Sequence, residues 1–487
     1  MDTLIMENPN TQLFIGGKWV AAADNATTEI LCPADGKRVA RISLGGTEDI
    51  SRAVEAADAA FNSSWATTPA RDRGVLLNRL ADLLDRDKEV VAKLEALEIG
   101  RPYGEPLMVD IPSAVVTLRY FAGWADKLDG RVLSSPDHFG RPIHAYTSRV
   151  PVGVVGAILP WNAPTMIACW KLAPALAAGC TIVLKPALEA PLAVLYLAKL
   201  IEEAGFPPGT VNVVPGTGPG AGNALVEHPL VSKITFTGSP VTGRLIAVKA
   251  AEAFKPVTLE LGGKAPQIVF PGVDVNATAF ALGMGIFSNQ GEICAAGSRI
   301  LVHKSIEAEL VAALKQEAER RVLGHPLDPA TTMGSLISGK QMATVSGYIE
   351  SGKQEGAILV TGGTQLDGNG HFIRPTVFCN VTNSMRIAQE EIFGPVASVI
   401  GFETEDEAIA MANDSRYGLS ANIFTEDLRT AHRVASKVRA GTVWINGGGT
   451  PDPRSVWGGG GLSGIGRELG LAALQSHTTE KSICVLL

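Results

Sequence analysis

The chain has 487 residues, 46% of them hydrophobic and 19% charged, with 42 basic against 49 acidic side chains and a formal net charge of −7. That much apolar side chain excludes a disordered chain, and a net negative charge excludes a global basic field for nucleic acid. At roughly 150 residues per domain the length predicts about three domains, large enough to bury cores without disulfides.

The N-terminal MDTLIMENPN has no basic region leading into an apolar run, so no secretory signal is read there. Amphipathic spacing predicts helices over Asp49–Phe61, Ala70–Asp85, Lys88–Glu98 and Ser113–Lys127. The polar, irregular stretch Asp129–Val150 predicts strand pieces in an arm outside the first domain. From Val150 to Trp170 no residue is charged, which satisfies a length rule for a membrane span. Pro151, Gly153, Gly156, Pro160 and Pro164 interrupt any continuous helix there. The segment therefore predicts a buried strand, a turn and the start of a helix, with no membrane association.

From 150 to 262 the pattern alternates. Strands are predicted at Val152–Ile158, Cys180–Leu184, Val211–Val214, Ile234–Phe236 and Val257–Leu261. Helices are predicted at Thr165–Ala178, Leu192–Ala204, from the Gly-rich turn to about Glu227, and Val241–Ala253. Continuously apolar strands separated by helices argue for a parallel α/β sheet buried on both faces. After it, Val275–Asn289 and Ile306–Val322 read as helices, and strands recur near Ile358–Val360, Val396–Gly401 and Val443–Asn446, giving a second α/β region. The apolar tail Ser482–Leu487 is a strand end that needs pairing, which implies a partner subunit. The six cysteines (Cys32, Cys169, Cys180, Cys294, Cys379 and Cys484) form no CxxC, and no histidine sits at zinc spacing from one. No disulfide framework and no metal site are expected, and a reducing cytoplasm is the default.

Several fragments carry possible chemistry. Gly216–Ala221 matches G-x-G-x-x-A after a strand, a pattern shared by dinucleotide turns and by ordinary α/β turns. Phe236-Thr237-Gly238-Ser239 follows a strand and opens a helix, where free N–H groups suit a pyrophosphate. Glu260, in Leu259-Glu260-Leu261-Gly262-Gly263-Lys264, ends an apolar strand, and ligands bind at such ends. Asn162, in Pro160-Trp161-Asn162, has helix capping as its plain role. Cys294, in Gln290-Gly291-Glu292-Ile293-Cys294, has the plain role of a small apolar residue.

Taken in order, PWN, FTGS, LELGGK, Gln-Gly-x-x-Cys and Glu390-Glu391-Ile392-Phe393-Gly394-Pro395 resemble the aldehyde dehydrogenase superfamily, from about Phe14 to the C-terminus. The resemblance implies a Rossmann-like cofactor-binding domain over 1–128 and 151–262, an α/β catalytic domain over 263–470, and a β oligomerisation arm formed by 129–150 and 471–487. It implies hydrolytic, NAD- or NADP-dependent oxidation of a small-molecule aldehyde in a homodimer or homotetramer. Cys294 matches the nucleophile that forms a thiohemiacetal, Asn162 the oxyanion donor and Glu260 the general base. Lys171 and Glu468 match a pair that relays the proton outward, or else a structural ion pair. Lys185 matches the adenine-ribose ligand, Ser239 a pyrophosphate ligand, and Glu391 the nicotinamide-ribose ligand with Phe393 beside it. Ile158, Pro160, Trp161, Gly218, Phe236, Gly238 and Leu261 are expected around the same cofactor. Within the resemblance, the turn at Gly216–Ala221 is not the main phosphate site.

Departures from the family pattern carry information. Three residues after Lys185, where many NAD-preferring members have a glutamate, stands Leu188, with Glu189 next. Loss of that carboxylate removes repulsion against a 2′-phosphate, so NADP is expected to be tolerated beside NAD. Ala163 stands where a phenylalanine often lines the substrate tunnel, and Gly460-Gly461 replaces a common aromatic-lysine pair after Trp457. With Trp170 and Ile293 keeping the wall apolar, a bulky or aromatic aldehyde is expected. A CoA-acylating relative generally lacks the base, so Glu260 argues for water. A catalytically silent structural homologue is disfavoured by the intact Cys294, Glu260 and Asn162.

Overall fold

The computed structural model describes residues 11–134 and 137–487. The segment MDTLIMENPN, read above as carrying no secretory signal, lies outside the described residues. So do residues 135 and 136 of the expected arm.

The first large sheet has eight strands. In spatial order they are Gly464–Ile465, Val257–Glu260, Val231–Thr237, Val154–Ile158, Thr181–Lys185, Val211–Val213, Leu13–Ile15 and Lys18–Val20. The five from Val257–Glu260 to Val211–Val213 are parallel. Every residue of Val154–Ile158 and Thr181–Lys185 is buried, as a sheet covered by helices on both faces requires. The uncharged run resolves into the strand Val154–Ile158, a turn, and the helix Pro164–Ala178. Among the described residues no helix is long and apolar enough to cross a membrane.

The edges of this sheet differ from the sequence reading. Phe14 pairs antiparallel with Val213, and Leu13–Ile15 with Lys18–Val20, so the N-terminus extends the sheet. At the other edge Leu259 and Glu260 pair antiparallel with Ile465 and Gly464. The chain thus returns to the first sheet at 464–465, within the span 263–470 expected for the catalytic domain. Without that return Val257–Glu260 would be a bare edge. Gly464, at φ +136°, permits it, because any Cβ there would overlap the Leu259 carbonyl.

The second sheet runs Ile358–Thr361, Thr376–Cys379, Val396–Phe402, Arg299–His303, Pro266–Val269, Ser420–Phe424 and Thr442–Ile445. All its pairings are parallel except the first. Thr376–Cys379, Arg299–His303, Pro266–Val269 and Ser420–Phe424 are additions to the expected strands. Runs this short carry no periodicity that separates strand from helix or loop. The expected helix Val275–Asn289 stops at Phe287, because Asn289 and Gln290 adopt left-handed φ values of 44° and 53°.

A third sheet pairs Arg141–Pro151 antiparallel with Thr478–Leu486, from Thr478 opposite Pro151 to Leu486 opposite Ile143, and adds Asp137–His138. The apolar tail is therefore paired along one side within its own chain. Val485, Leu486 and Leu487 remain exposed.

Candidate active site

The chain visits the first sheet outward from Val154–Ile158 to one side, then returns to its other side at Val231–Thr237. This reversal opens a crevice beyond the carboxyl ends of the strands, the usual ligand position in such sheets. The parallel register lines up Phe236, Ile158 and Lys185 on three adjacent strands, with Thr237 beside Glu260.

Several groups in the crevice fit a dinucleotide. Lys185 is buried, and its Nζ donates to the carbonyls of Pro186 at 2.9 Å and Gly216 at 2.8 Å. Burial draws its ammonium down to about 8, opposed by the charge of Glu189. Two of its three donors are used, which leaves one for a ribose. Gly238 lies over the Phe236 ring, where a Cβ would come within 2.5 Å. Ser239 caps the helix Pro240–Glu252: its Oγ accepts from the Thr242 N–H at 3.3 Å and donates to Thr242 Oγ1 at 3.1 Å. The remaining N–H groups at that end favour an anion.

Leu261 packs under Gly243 and donates its N–H to the Ser463 carbonyl. Trp161 meets Phe393 edge-on, ring centres 5.3 Å apart, and Pro160 is half-buried before it. Gly218 is exposed in a turn capped by Thr217. That turn touches the crevice through the Gly216 carbonyl on Lys185.

The loop after Phe287 presents Cys294, half-buried. Burial, with Glu391 and Glu260 adding negative potential, pushes its thiol up to about 12. Asn162 Nδ2 donates to the Glu292 carbonyl at 2.9 Å, which ties the PWN turn to the cysteine loop. Glu260, the last residue of its strand, is buried with neither carboxylate oxygen hydrogen-bonded. Burial and then Glu468 raise its pKa well above the carboxylate range, while Lys171 and Arg467 oppose. A Cβ on Gly458 would overlap its Oε1, so the carboxylate rests directly on that backbone.

Behind it, Lys171 is ion-paired with Glu468, and Thr235 Oγ1 lies 3.0 Å from Lys171 Nζ and 3.1 Å from Glu468 Oε1. Glu391 Oε1 accepts the Gly263 N–H at 3.1 Å, and burial raises this carboxyl to about 7.

Among the expected substrate residues, Trp170 and Trp457 meet at 6.1 Å, and Trp444, absent from the sequence reading, extends the group at 6.0 Å from Trp457. Cys294 and Ala295 pack, half-buried, against the large hydrophobic core that also contains Trp170 and Trp457. Ala163 is buried at the start of the helix that carries Trp170. Ile293 is half-buried and packs against the second-sheet cluster that contains Phe287.

The sequence reading also missed Arg101, Asn289 and Lys264. Asn289 lies one residue before the quoted Gln-Gly segment and has a positive φ, which asparagine tolerates better than most residues. Lys264 belongs to LELGGK; its buried Nζ has no hydrogen-bond partner, and burial then Arg299 draws it to about 7. Arg101 has no local signal at all.

Residues 19–483 match the family model described as the aldehyde dehydrogenase family. The chain is 46% identical over 478 residues to the mitochondrial aldehyde dehydrogenase of Sus scrofa, covering 97% of this chain and 91% of that protein. It is 45% identical to the aldehyde dehydrogenase of Bacillus cereus solved as an NAD+ complex, with TM-score 0.95 over 98% of this chain and 96% of that one. It is 42% identical to an indole-3-acetaldehyde dehydrogenase of P. syringae solved with NAD+ and IAA, with TM-score 0.95 over 98% and 97%. With this match spanning nearly the whole length, the chain belongs to the aldehyde dehydrogenase family.

Proposed function

We propose that this NAD(P)-dependent aldehyde dehydrogenase works through a covalent intermediate on Cys294, hydrolysed with Glu260 as general base. The observation that carries the reading is Glu260: a buried carboxylate with both oxygens free, lodged between Gly458 and the Lys171–Glu468 pair.

The Cys294 thiol gives its proton to a water molecule, and Sγ bonds to the aldehyde carbon as the carbonyl π bond opens onto oxygen. The oxygen takes the negative charge and is met by Asn162 Nδ2–H and the Cys294 N–H. A nicotinamide held in the crevice would supply the hydride acceptor, and loss of hydride from that carbon leaves a thioester on Cys294. Glu260 then takes a proton from water as the water oxygen bonds to the thioester carbon, and the carbon–sulfur bond breaks to release the acid. A carboxylate with a raised pKa suits this task near neutral pH. Thr235, Lys171 and Glu468 form the hydrogen-bonded group through which the proton leaves.

Cys294→Ala is expected to abolish aldehyde-dependent NADH formation, whereas a binding or structural role would survive it. Glu260→Gln is expected to keep a single-turnover burst and lose steady-state turnover. Wild-type turnover in Glu260→Gln would overturn the assignment, and acyl transfer to added CoA in preference to water would favour the CoA-acylating alternative.

For the substrate, a bulky apolar or aromatic aldehyde fits best. Ala163 leaves space, and Trp170, Trp457 and Trp444 form a group of flat apolar rings on the core against which Cys294 packs. The similarity to an enzyme named for indole-3-acetaldehyde points the same way. A panel in which acetaldehyde gave the highest kcat/KM would refute this. A homodimer or homotetramer fits the apolar strip of Val241, Leu245, Val248 and Phe254, all more than half exposed. Sedimentation showing a monomer at micromolar concentration would refute that.

A further inference from the structure

We infer that Arg101 is a positioning residue for the oxyanion donor Asn162, acting from a buried side-chain network that also holds the cysteine loop. This rests on the covalent reading above.

Arg101 follows Gly100, the left-handed cap (φ +87°) of the helix Lys88–Ile99. Its side chain is 5% exposed. Nη1 donates to Asp110 Oδ2 at 2.7 Å and Nη2 to Asp110 Oδ1 at 3.4 Å, a two-pronged grip that fixes the guanidinium plane. Nη2 also lies 3.4 Å from Glu105 Oε2. Held this way, Nη1 reaches the main-chain carbonyl of Asn162 at 3.4 Å.

The same carbonyl accepts Asn289 Nδ2 at 2.9 Å. Glu105 Oε2 accepts the Asn289 N–H at 2.9 Å, which closes a ring from Arg101 through Glu105 and Asn289 to Asn162. Asn289 Nδ2 lies 3.3 Å from the Glu292 carbonyl, the group that accepts Asn162 Nδ2. Asn162 and the loop ending at Cys294 are thus held by shared partners.

The need for such a device is visible in the backbone. Asn162 sits in a turn whose next residue, Ala163, opens the helix with no side-chain cap. The turn has no regular hydrogen-bond ladder to define it. Fixing the Asn162 carbonyl fixes its peptide plane, and with it the direction of the Cα–Cβ bond that aims the side-chain amide. An oxyanion donor acts only from a preorganised position, and a misplacement of about 1 Å can cost on the order of a hundredfold. Asp110 and Glu105 supply compensating charge, so the guanidinium is buried without being left unpaired.

Steady-state kinetics on Arg101→Met, Arg101→Lys, Asn162→Ala and the double variant Arg101→Met/Asn162→Ala test this. Arg101→Met is expected to lower kcat at least tenfold and leave KM for aldehyde and NAD within about twofold. Arg101→Lys, which keeps the charge and loses the two-pronged grip, falls between. In the Asn162→Ala background the added Arg101→Met change is expected to cost less than twofold, because there is no longer an amide to aim.

Equal proportional losses in both backgrounds would overturn the inference, as would a rise in KM with unchanged kcat. Should Arg101→Met fail to fold, Asn289→Asp removes the other donor to the Asn162 carbonyl and takes its place in the same cycle. A loss of kcat that vanishes in the Asn162→Ala background is again expected, and equal losses in both backgrounds would again overturn the inference. An Asn162→Ala variant as active as wild type would instead defeat the oxyanion-donor reading itself.

Discussion

The carboxylate of Glu391 occupies the space where a side chain on Gly262 would have to go. A Cβ built on Gly262 overlaps both Glu391 oxygens, while a Cβ on the next residue, Gly263, meets the Cys294 carbonyl at 2.5 Å. The Gly-Gly pair after Glu260 therefore lets three groups converge: the proposed base, the expected ribose ligand and the nucleophile's own peptide.

The two glycines are expected to fail differently when substituted. Gly262→Ala meets the end of a flexible side chain, so it folds with a Tm within a few degrees of wild type and raises the NAD KM about tenfold or more as Glu391 is pushed aside. Gly263→Ala meets backbone, so it lowers kcat about a hundredfold and also lowers Tm. Calorimetry with initial-rate kinetics checks both. An identical KM effect from the two substitutions would contradict the geometry.

The thiol of Cys294, pushed up to about 12 by burial and then by Glu391 and Glu260, is protonated in the cofactor-free protein across the physiological range. The thiolate is the reactive form. Alkylation by iodoacetamide is therefore expected to accelerate about tenfold per pH unit between pH 7 and 9.5. Rates resolved by mass spectrometry at Cys294 check this, and a plateau near pH 8 would contradict it.

Lys171 is fully buried against Glu468. Lys171→Met leaves a buried carboxylate without its partner, expected to cost about 3–5 kcal/mol of stability. Removing both charges in Lys171→Met/Glu468→Leu is expected to recover part of that loss while leaving turnover low. Denaturant titration of the three proteins checks the order, and a double variant less stable than the single would reverse the argument.

Leu188 is half-buried and Glu189 exposed, yet Glu189 is close enough for its charge to act on Lys185. A carboxylate pointing into solvent repels a 2′-phosphate less than one set at the ribose. The kcat/KM values for NAD and NADP are expected to lie within a hundredfold of each other. Leu188→Glu is expected to raise the NAD preference at least tenfold.

Much of the site was legible locally. Glu260 at a strand end, Asn162 between strand and helix and Ser239 at a helix start are positions that neighbouring residues define, and the parallel strands between 154 and 260 follow from uninterrupted apolar runs. The ordered motifs added roles to those positions. What stayed hidden depends on chain-distant approach. Arg101 reaches Asn162 across 61 residues, and Asn162 reaches Glu292 across 130. The return of Gly464–Ile465 to the first sheet is of the same kind.

By itself, the sequence determined which residue types stand at each strand end, because burial period and turn chemistry are short-range. Only the tertiary structure decided which of those ends share a crevice, how high burial drives Glu260 and Cys294, and which buried charges brace them. Those properties come from desolvation and contact between distant segments, and no local pattern encodes them.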